Sequence, residues 1–267
     1  MTAVAPGAIR VVLFDLDDTL MAHTRAVDLA IERAQQSAGG GFAKDDAAAV
    51  QARWRELEER HYARYLTGEL DYLGQRIWRA RDLHAPYGID LDDEAALSWF
   101  AQYLHGYRDN WTLFDDVLPA LDAIEAAIDD VRFGIITNGD LAFQTDKLER
   151  IELWQRLELT AVRRDGRADD GSRRGRLIAS GELGSTKPDR EIFAAAAAAL
   201  DASPSSCAYV GDRVRTDAVG AHQAGMLGIW LDRGEARNDT TAEAHVTLPA
   251  GVPSIRTVLE LPALLAP

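Results

Sequence analysis

Apolar residues follow two rhythms along this chain, and the change from one to the other divides it. Near the start, Val11, Val12, Leu13 and Phe14 form an unbroken apolar run that stops at Asp15, Asp17, Asp18 and Thr19. Such a run predicts a strand buried on both faces, as in a parallel sheet. From about residue 22 to 111 the pattern becomes helical. Segments around 25–37, 45–66, 72–83 and 92–107 read as helices, separated by Gly39-Gly40-Gly41 and by the turn Pro86-Tyr87-Gly88. Trp54, Leu57, Tyr62, Tyr65 and Leu66 recur at roughly helical spacing, as do Trp99, Tyr103 and Tyr107. Four of the six tryptophans and six of the seven tyrosines fall in this stretch. It predicts a helical module inserted after the first strand, with most of its aromatics packing a small core of their own.

Strand and helix alternate again from Pro119 onward. An amphipathic helix over 118–128 precedes a second apolar run, 132–136, which ends in Thr137-Asn138-Gly139-Asp140. A helix over 141–151 and a third strand within 157–162 follow. Residues 163–176 then bring six arginines, three aspartates and three glycines, the composition of a solvated loop. Residues 178–184 lead into Thr186-Lys187-Pro188-Asp189, which opens a helix with six consecutive alanines; a proline in the first turn suits a helix start. A strand at 208–210 ends in Gly211-Asp212, and a helix over about 216–224, a strand over 227–231, a short strand near Val246 and a helix over 255–265 complete the pattern. Strands alternating with helices predict an α/β, doubly wound, Rossmann-like parallel sheet. The domains expected are a core of residues 1–21 and 112–267 and a helical insertion of residues 22–111.

Composition narrows the classes of function. At 267 residues, 47% apolar and 27% charged, the chain is an ordinary globular protein in make-up. Its net charge of −14 argues against nucleic-acid or anionic-membrane partners, which need basic surface. Phosphorylated small molecules stay open, because a bound cation reverses the sign locally. The single cysteine, Cys207, allows neither an intrachain disulfide nor a Cys-rich zinc site. Residues 1–7 read as a loose tail without signal-peptide character, and no stretch approaches a membrane span. A cytoplasmic protein is expected, as a monomer or homodimer.

Three strand ends carry polar groups of complementary kinds: Asp15 and Asp17, then Thr137-Asn138-Gly139, then Gly211-Asp212 with Asp217 five residues on. Lys187 lies at a helix start between the last two. A parallel sheet puts these ends on one edge, where open α/β folds bind ligands. The set suits phosphoryl transfer. A carboxylate attacks phosphorus, and a second gives and takes the proton. A divalent cation, a lysine and strand-end N–H and hydroxyl groups offset the crowded negative charge. Duller readings exist for each residue alone: an acidic turn at Asp15 to Asp18, a turn residue at Thr137, a surface lysine at Lys187, a helix-start carboxylate at Asp217.

Taken together, the segments FDLDDTL, ITNGD, STKPDREIF and VGDRVRTDAVGAHQAG resemble the four motifs of the haloacid dehalogenase superfamily, in the branch with a helical cap after the first strand. The resemblance covers nearly the whole chain. It implies a Mg²⁺-dependent phosphatase that forms an aspartyl phosphate. Asp15 would be the nucleophile, Asp17 the acid/base, and Lys187 the group that steadies both phosphate and nucleophile. Thr137 and Asn138 would bind phosphate. The Asp15 carboxylate, the Asp17 carbonyl and Asp212 would hold the metal, with Asp217 nearby through water. An acid at Asp17 favours ester hydrolysis over dehalogenation, since a halide leaves without a proton. ITNGD with Gln144, Lys147-Leu148 and GELGSTKPD is similar to the pyrimidine 5′-nucleotidase and N-acylneuraminate-9-phosphatase branch, from which residues 163–176 depart as an insertion. The substrate implied is a small phosphate ester, a nucleoside monophosphate or a sugar phosphate. A phosphomutase and a non-catalytic binding protein of the same fold are the alternatives.

Overall fold

The apolar run Val11–Phe14 is a strand, β1, with all four side chains buried, and the sheet is built around it. The computed structural model describes residues 9–168, 173–234 and 247–266. The expected tail at 1–7, the centre of the arginine-rich stretch at 169–172 and the strand expected at Val246 lie outside them. Among the described residues, β1 is joined by β2 (Arg132–Thr137), β3 (Leu159–Ala161), β4 (Gly175–Ala179), β5 (Cys207–Gly211), β6 (Leu227–Leu231) and β7 (Ser254–Ile255). Every pairing is parallel, in the order β3-β4-β2-β1-β5-β6-β7. The chain crosses to β2 on one side of β1 and later to β5 on the other. β1 therefore sits at the topological switch point, where such sheets bind ligands beyond their carboxyl ends.

The chain divides into two compact units, Met1–Ala22 with Thr112–Pro267 and His23–Trp111. The second is all helical: α1 (His23–Gln36), α2 (Ala47–Leu66), α3 (Tyr72–His84) and α4 (Asp93–Asp109). Aspartates start three of these helices. Asp46, Asp71 and Asp92 each accept a hydrogen bond from the backbone N–H three residues on, satisfying a donor the helix cannot. Trp54 is fully buried at the centre, with the rings of Trp99, Phe100 and Tyr103 at centroid distances of 5.4, 5.8 and 4.7 Å. The aromatic stripe expected on α2 is only half realised. The buried positions are Val50, Trp54, Leu57 and His61, three or four apart, while Tyr62 and Tyr65 are half-buried and Leu66 is exposed. At 100° per residue Tyr62 and Leu66 rotate off the stripe, while Tyr65 stays on it but lies in the last turn of the helix.

In the first unit α5 (Val117–Ala127), α6 (Leu141–Arg150), the single turns α7 (Leu153–Arg156) and α8 (Ser180–Leu183), α9 (Arg190–Ala199), and the short α10 (Gly220–Gln223) and α11 (Leu261–Leu265) flank the sheet in a doubly wound α/β fold. Val11 and Leu13 share one face with Ile136, Ile178, Phe193 and Tyr209, and each fully buried side chain of this size contributes about 1.5–3 kcal/mol. The arginine-rich stretch is not all loop. Gly175 and Arg176 open β4, between β3 and β2, and Arg176 reaches the Ala199 carbonyl at the end of α9 at 3.1 Å. The helix expected over 216–224 begins instead as a π-helical turn, Val214–Val219, and the last expected helix as β7 and a 3₁₀ turn, Val258–Glu260.

Candidate active site

Asp15 directly follows β1 and still pairs with the sheet, its N–H donating to the Val210 carbonyl at 2.9 Å. The chain then turns sharply: Asp18 adopts φ 58°, a conformation that aspartate tolerates better than most residues, and Leu20 and Met21 donate back to the Leu16 carbonyl. Leu16 is buried in this turn, while Asp17 keeps its carboxylate about a quarter exposed.

Lys187 comes from the turn before α9, and its ammonium group lies at the centre of the site. It donates to Asp15 Oδ1 at 2.5 Å, to Asp217 Oδ1 at 2.8 Å and to the Tyr209 hydroxyl at 2.9 Å. All four residues are buried. Burial works against the lysine's charge, but Asp15 and Asp217 more than offset it and hold the ammonium above the ordinary lysine range. Burial is also the main influence on Asp15, pushing its carboxyl up to about 6 against the pull of Lys187, with Asp217 and Asp17 adding to the rise. The Tyr209 hydroxyl, raised well above its usual value by burial and then by Asp217 and Asp15, stays protonated. It donates to Asp217 at 3.1 Å.

Asp217 sits in the π-helical turn, folded back over Gly211. Its Oδ2 accepts from the Arg213 N–H at 3.0 Å. A Cβ on Gly211 would lie 2.4 Å from Asp217 Cβ, so only glycine permits this approach. Asp212 follows β5 with its carboxylate buried, and its backbone carbonyl accepts from Trp230 Nε1 at 2.9 Å. Oxygen atoms of Asp15, Asp212 and Asp217 lie within 4.8 Å of one another. Hard oxygen donors in such a cluster fit a Mg²⁺-type cation. The charge balance fits too: the three carboxylates of Asp15, Asp212 and Asp217 stand against the one ammonium group of Lys187. Two negative charges remain, as many as one divalent cation neutralises.

Thr137 ends β2, buried beside this group. The Asn138 side chain is engaged with the lysine's own backbone: its amide Nδ2 donates to the Lys187 carbonyl at 3.0 Å and its Oδ1 accepts from the Lys187 N–H at 2.8 Å. The side chain thus braces the backbone that carries the lysine. Two residues outside the expected set belong to the site. Tyr209 is one; a tyrosine inside a wholly buried strand needs a partner for its hydroxyl, and that was its sequence signal. Lys147 on α6 is the other, donating to Asp17 Oδ1 and Oδ2 at 2.7 and 2.8 Å. It shares the buried helix face of Gln144 and Leu148, an unusual place for a lysine unless it is paired.

Among known proteins, the family model described as haloacid dehalogenase-like hydrolase matches residues 9–225. The phosphoserine phosphatase of Thermus thermophilus is 28% identical over 255 residues, 87% of this chain and 92% of that protein. The glyceraldehyde 3-phosphate phosphatase of Methanopyrus kandleri is 26% identical, covering 86% and 89%. Human N-acylneuraminate-9-phosphatase is 27% identical over 66% of this chain and 59% of its own. In fold, the crystal structure of the HAD-hydrolase YfnB from Bacillus subtilis, bound to magnesium, is similar with a TM-score of 0.70 at 18% identity, covering 97% of this chain and 99% of that one.

Proposed function

The chain belongs to the haloacid dehalogenase-like hydrolase family and, like its curated relatives, is a phosphatase-type hydrolase; we propose that it hydrolyses small phosphorylated metabolites, nucleoside monophosphates or sugar phosphates, through an aspartyl phosphate on Asp15. The observation that carries the reading is the Lys187 ammonium held between Asp15 and Asp217 at the carboxyl edge of β1. It offsets charge where an anionic carboxylate must meet an anionic phosphate.

In this reading Lys187 holds Asp15 Oδ1, and Oδ2 attacks phosphorus. The bond from phosphorus to the ester oxygen breaks, and Asp17 gives its proton to the leaving alcohol. Water then attacks the same phosphorus, Asp17 takes a proton back, and the bond to Asp15 breaks to release inorganic phosphate. Thr137 supplies a hydroxyl to the phosphate oxygens. Because the Asn138 amide is engaged with Lys187, its contact with phosphate falls to the main chain. Asp15, the Asp17 carbonyl and Asp212 would hold Mg²⁺, with Asp217 supporting; the cation, when bound, keeps Asp15 ionised and neutralises phosphate charge. An aspartate at Asp17 suits an alkoxide that must be protonated rather than a halide.

Phosphate release from a panel of nucleoside monophosphates, sugar phosphates and an aryl phosphate, with Mg²⁺ and with EDTA, tests this directly. Release that requires Mg²⁺ and is lost in Asp15→Asn is the expected result. Folded protein that releases no phosphate from any ester with Mg²⁺ present would overturn the reading.

A further inference from the structure

Lys147 is only 2% exposed, and burying an ammonium group is costly without a partner. Its partner is Asp17, 130 residues earlier in the chain, met at both oxygens at nearly equal distance. Two hydrogen bonds from one ammonium group tether both carboxylate oxygens and set the direction in which the group points. The lysine itself has little freedom, because α6 is anchored at its start by Asp140, which accepts from the Phe143 N–H at 2.9 Å, and packs Gln144 and Leu148 on the same buried face. Part of the Asp17 carboxylate remains exposed, 29% of its side chain, so the clamp leaves it reachable.

We propose that Lys147 is a positioning residue that sets the orientation of Asp17 for proton transfer. The inference rests on the reading of Asp17 as acid and base. In that reading one carboxylate serves two transfers at the same phosphorus, first to the leaving oxygen and then from the attacking water. A single fixed orientation serves both, and a freely turning side chain serves neither well.

The test compares Lys147→Met, Lys147→Arg, Asp17→Asn and the double variant Asp17→Asn with Lys147→Met. An alkyl phosphate, whose leaving oxygen needs a proton, is set against para-nitrophenyl phosphate, whose leaving group does not, and the aryl reaction is followed as the first-turnover burst. Lys147→Met is expected to lower kcat on the alkyl ester about 10- to 100-fold, a share of the roughly 10²–10⁴-fold that proton transfer contributes, with KM nearly unchanged. The aryl burst should slow much less. Lys147→Arg, whose fork also meets both carboxylate oxygens, should recover part of the loss. Adding Lys147→Met to Asp17→Asn should cost less than about 2-fold more, since there is no longer an acid to orient.

Equal slowing of both esters, or a loss that multiplies with that of Asp17→Asn, would show a purely structural lysine and overturn the proposal. Full alkyl-ester turnover by Asp17→Asn alone would instead overturn the acid/base reading, and the single variant separates the two failures. If Lys147→Met does not fold by circular dichroism, Lys147→Gln carries the same comparison.

Discussion

Tyr209 has no part in bond breaking in the proposed reaction, yet its hydroxyl completes the shell around Lys187. Tyr209→Phe keeps the ring, which packs edge-on to Phe193 at 5.2 Å, and removes the bonds to Lys187 and Asp217 and the longer one to the Ile136 carbonyl at 3.4 Å. The expected cost is about 1–2 kcal/mol in urea unfolding, with kcat lowered because the lysine can then lean toward either carboxylate. Gly211→Ala acts on the same network from the other side. The new methyl group must displace Asp217, so phosphate release should fall steeply while stability drops by about 1–3 kcal/mol, the usual cost of overpacking. These two residues also mark what could be read from the chain in advance. Asp15, Thr137 and Asp212 stand out as polar groups where apolar runs stop, with Asp217 five residues past the last, and a parallel sheet leaves such positions one edge to share. Lys147 and Tyr209 lie inside a helix and a strand, where a polar side chain looks incidental until its long-range partner is known. The Asn138 amide was visible but its partner, a backbone 49 residues away, was not.

At the level of elements, those with a clear period were legible and the short ones were not. The helices around Trp54, Trp78 and Trp99 announce themselves through spacing, and the structure finds Asp46, Asp71 and Asp92 at their starts. β4 was hidden because its first two residues, Gly175 and Arg176, belong by composition to the arginine-rich stretch, and only its place between β3 and β2 makes them strand. Asp116, just before α5, shows how such elements are tied together. Its carboxylate takes both arms of Arg233 at 2.9 and 3.0 Å, the Thr257 hydroxyl at 2.6 Å and the Val258 N–H at 3.2 Å, while Arg233 also donates to the Thr19 carbonyl at 2.8 Å. The turn after β1, the start of α5, the end of β6 and the last 3₁₀ turn are thereby joined. Burial works against ionisation of Asp116, but the bonds from Arg233 and Thr257 prevail and hold the carboxyl below its ordinary value. A carboxyl depressed on folding contributes stability that is present above about pH 4, its unfolded value, and lost as pH falls through the lower folded value. Asp116→Asn should therefore lower unfolding stability by about 2 kcal/mol at pH 7, and urea midpoints measured in acid should show that gap closing.

Across the whole molecule, the two units respond differently to acid because their buried ionisable groups differ. In the first, the buried groups are mainly carboxylates with cationic partners, but in His23–Trp111 two imidazoles are buried. His84 lies against Trp99 and Phe42, with ring centroids at 4.7 and 5.0 Å, and shares a 2.8 Å hydrogen bond with the Ala80 carbonyl. Burial lowers its proton affinity more than that carbonyl raises it. His61 is lowered too, chiefly by burial, with Asp82 at 2.8 Å opposing. The sign follows from the unfolded chain, which takes up the protons first as pH drops below about 6.5. The stability these residues contribute is complete above that pH and is lost as pH falls toward their lowered folded values. Four of the six tryptophans lie in this unit, so tryptophan fluorescence reports mainly on it. Between pH 7.5 and 5.5 its urea midpoint should fall, corresponding to a loss of unfolding free energy of no more than about 1 kcal/mol per histidine once solvent screening is allowed for. His84→Gln keeps a donor for the Ala80 carbonyl but does not titrate, so it should flatten that dependence. A variant whose midpoint still falls as steeply as the parent would place the acid sensitivity elsewhere than in His84.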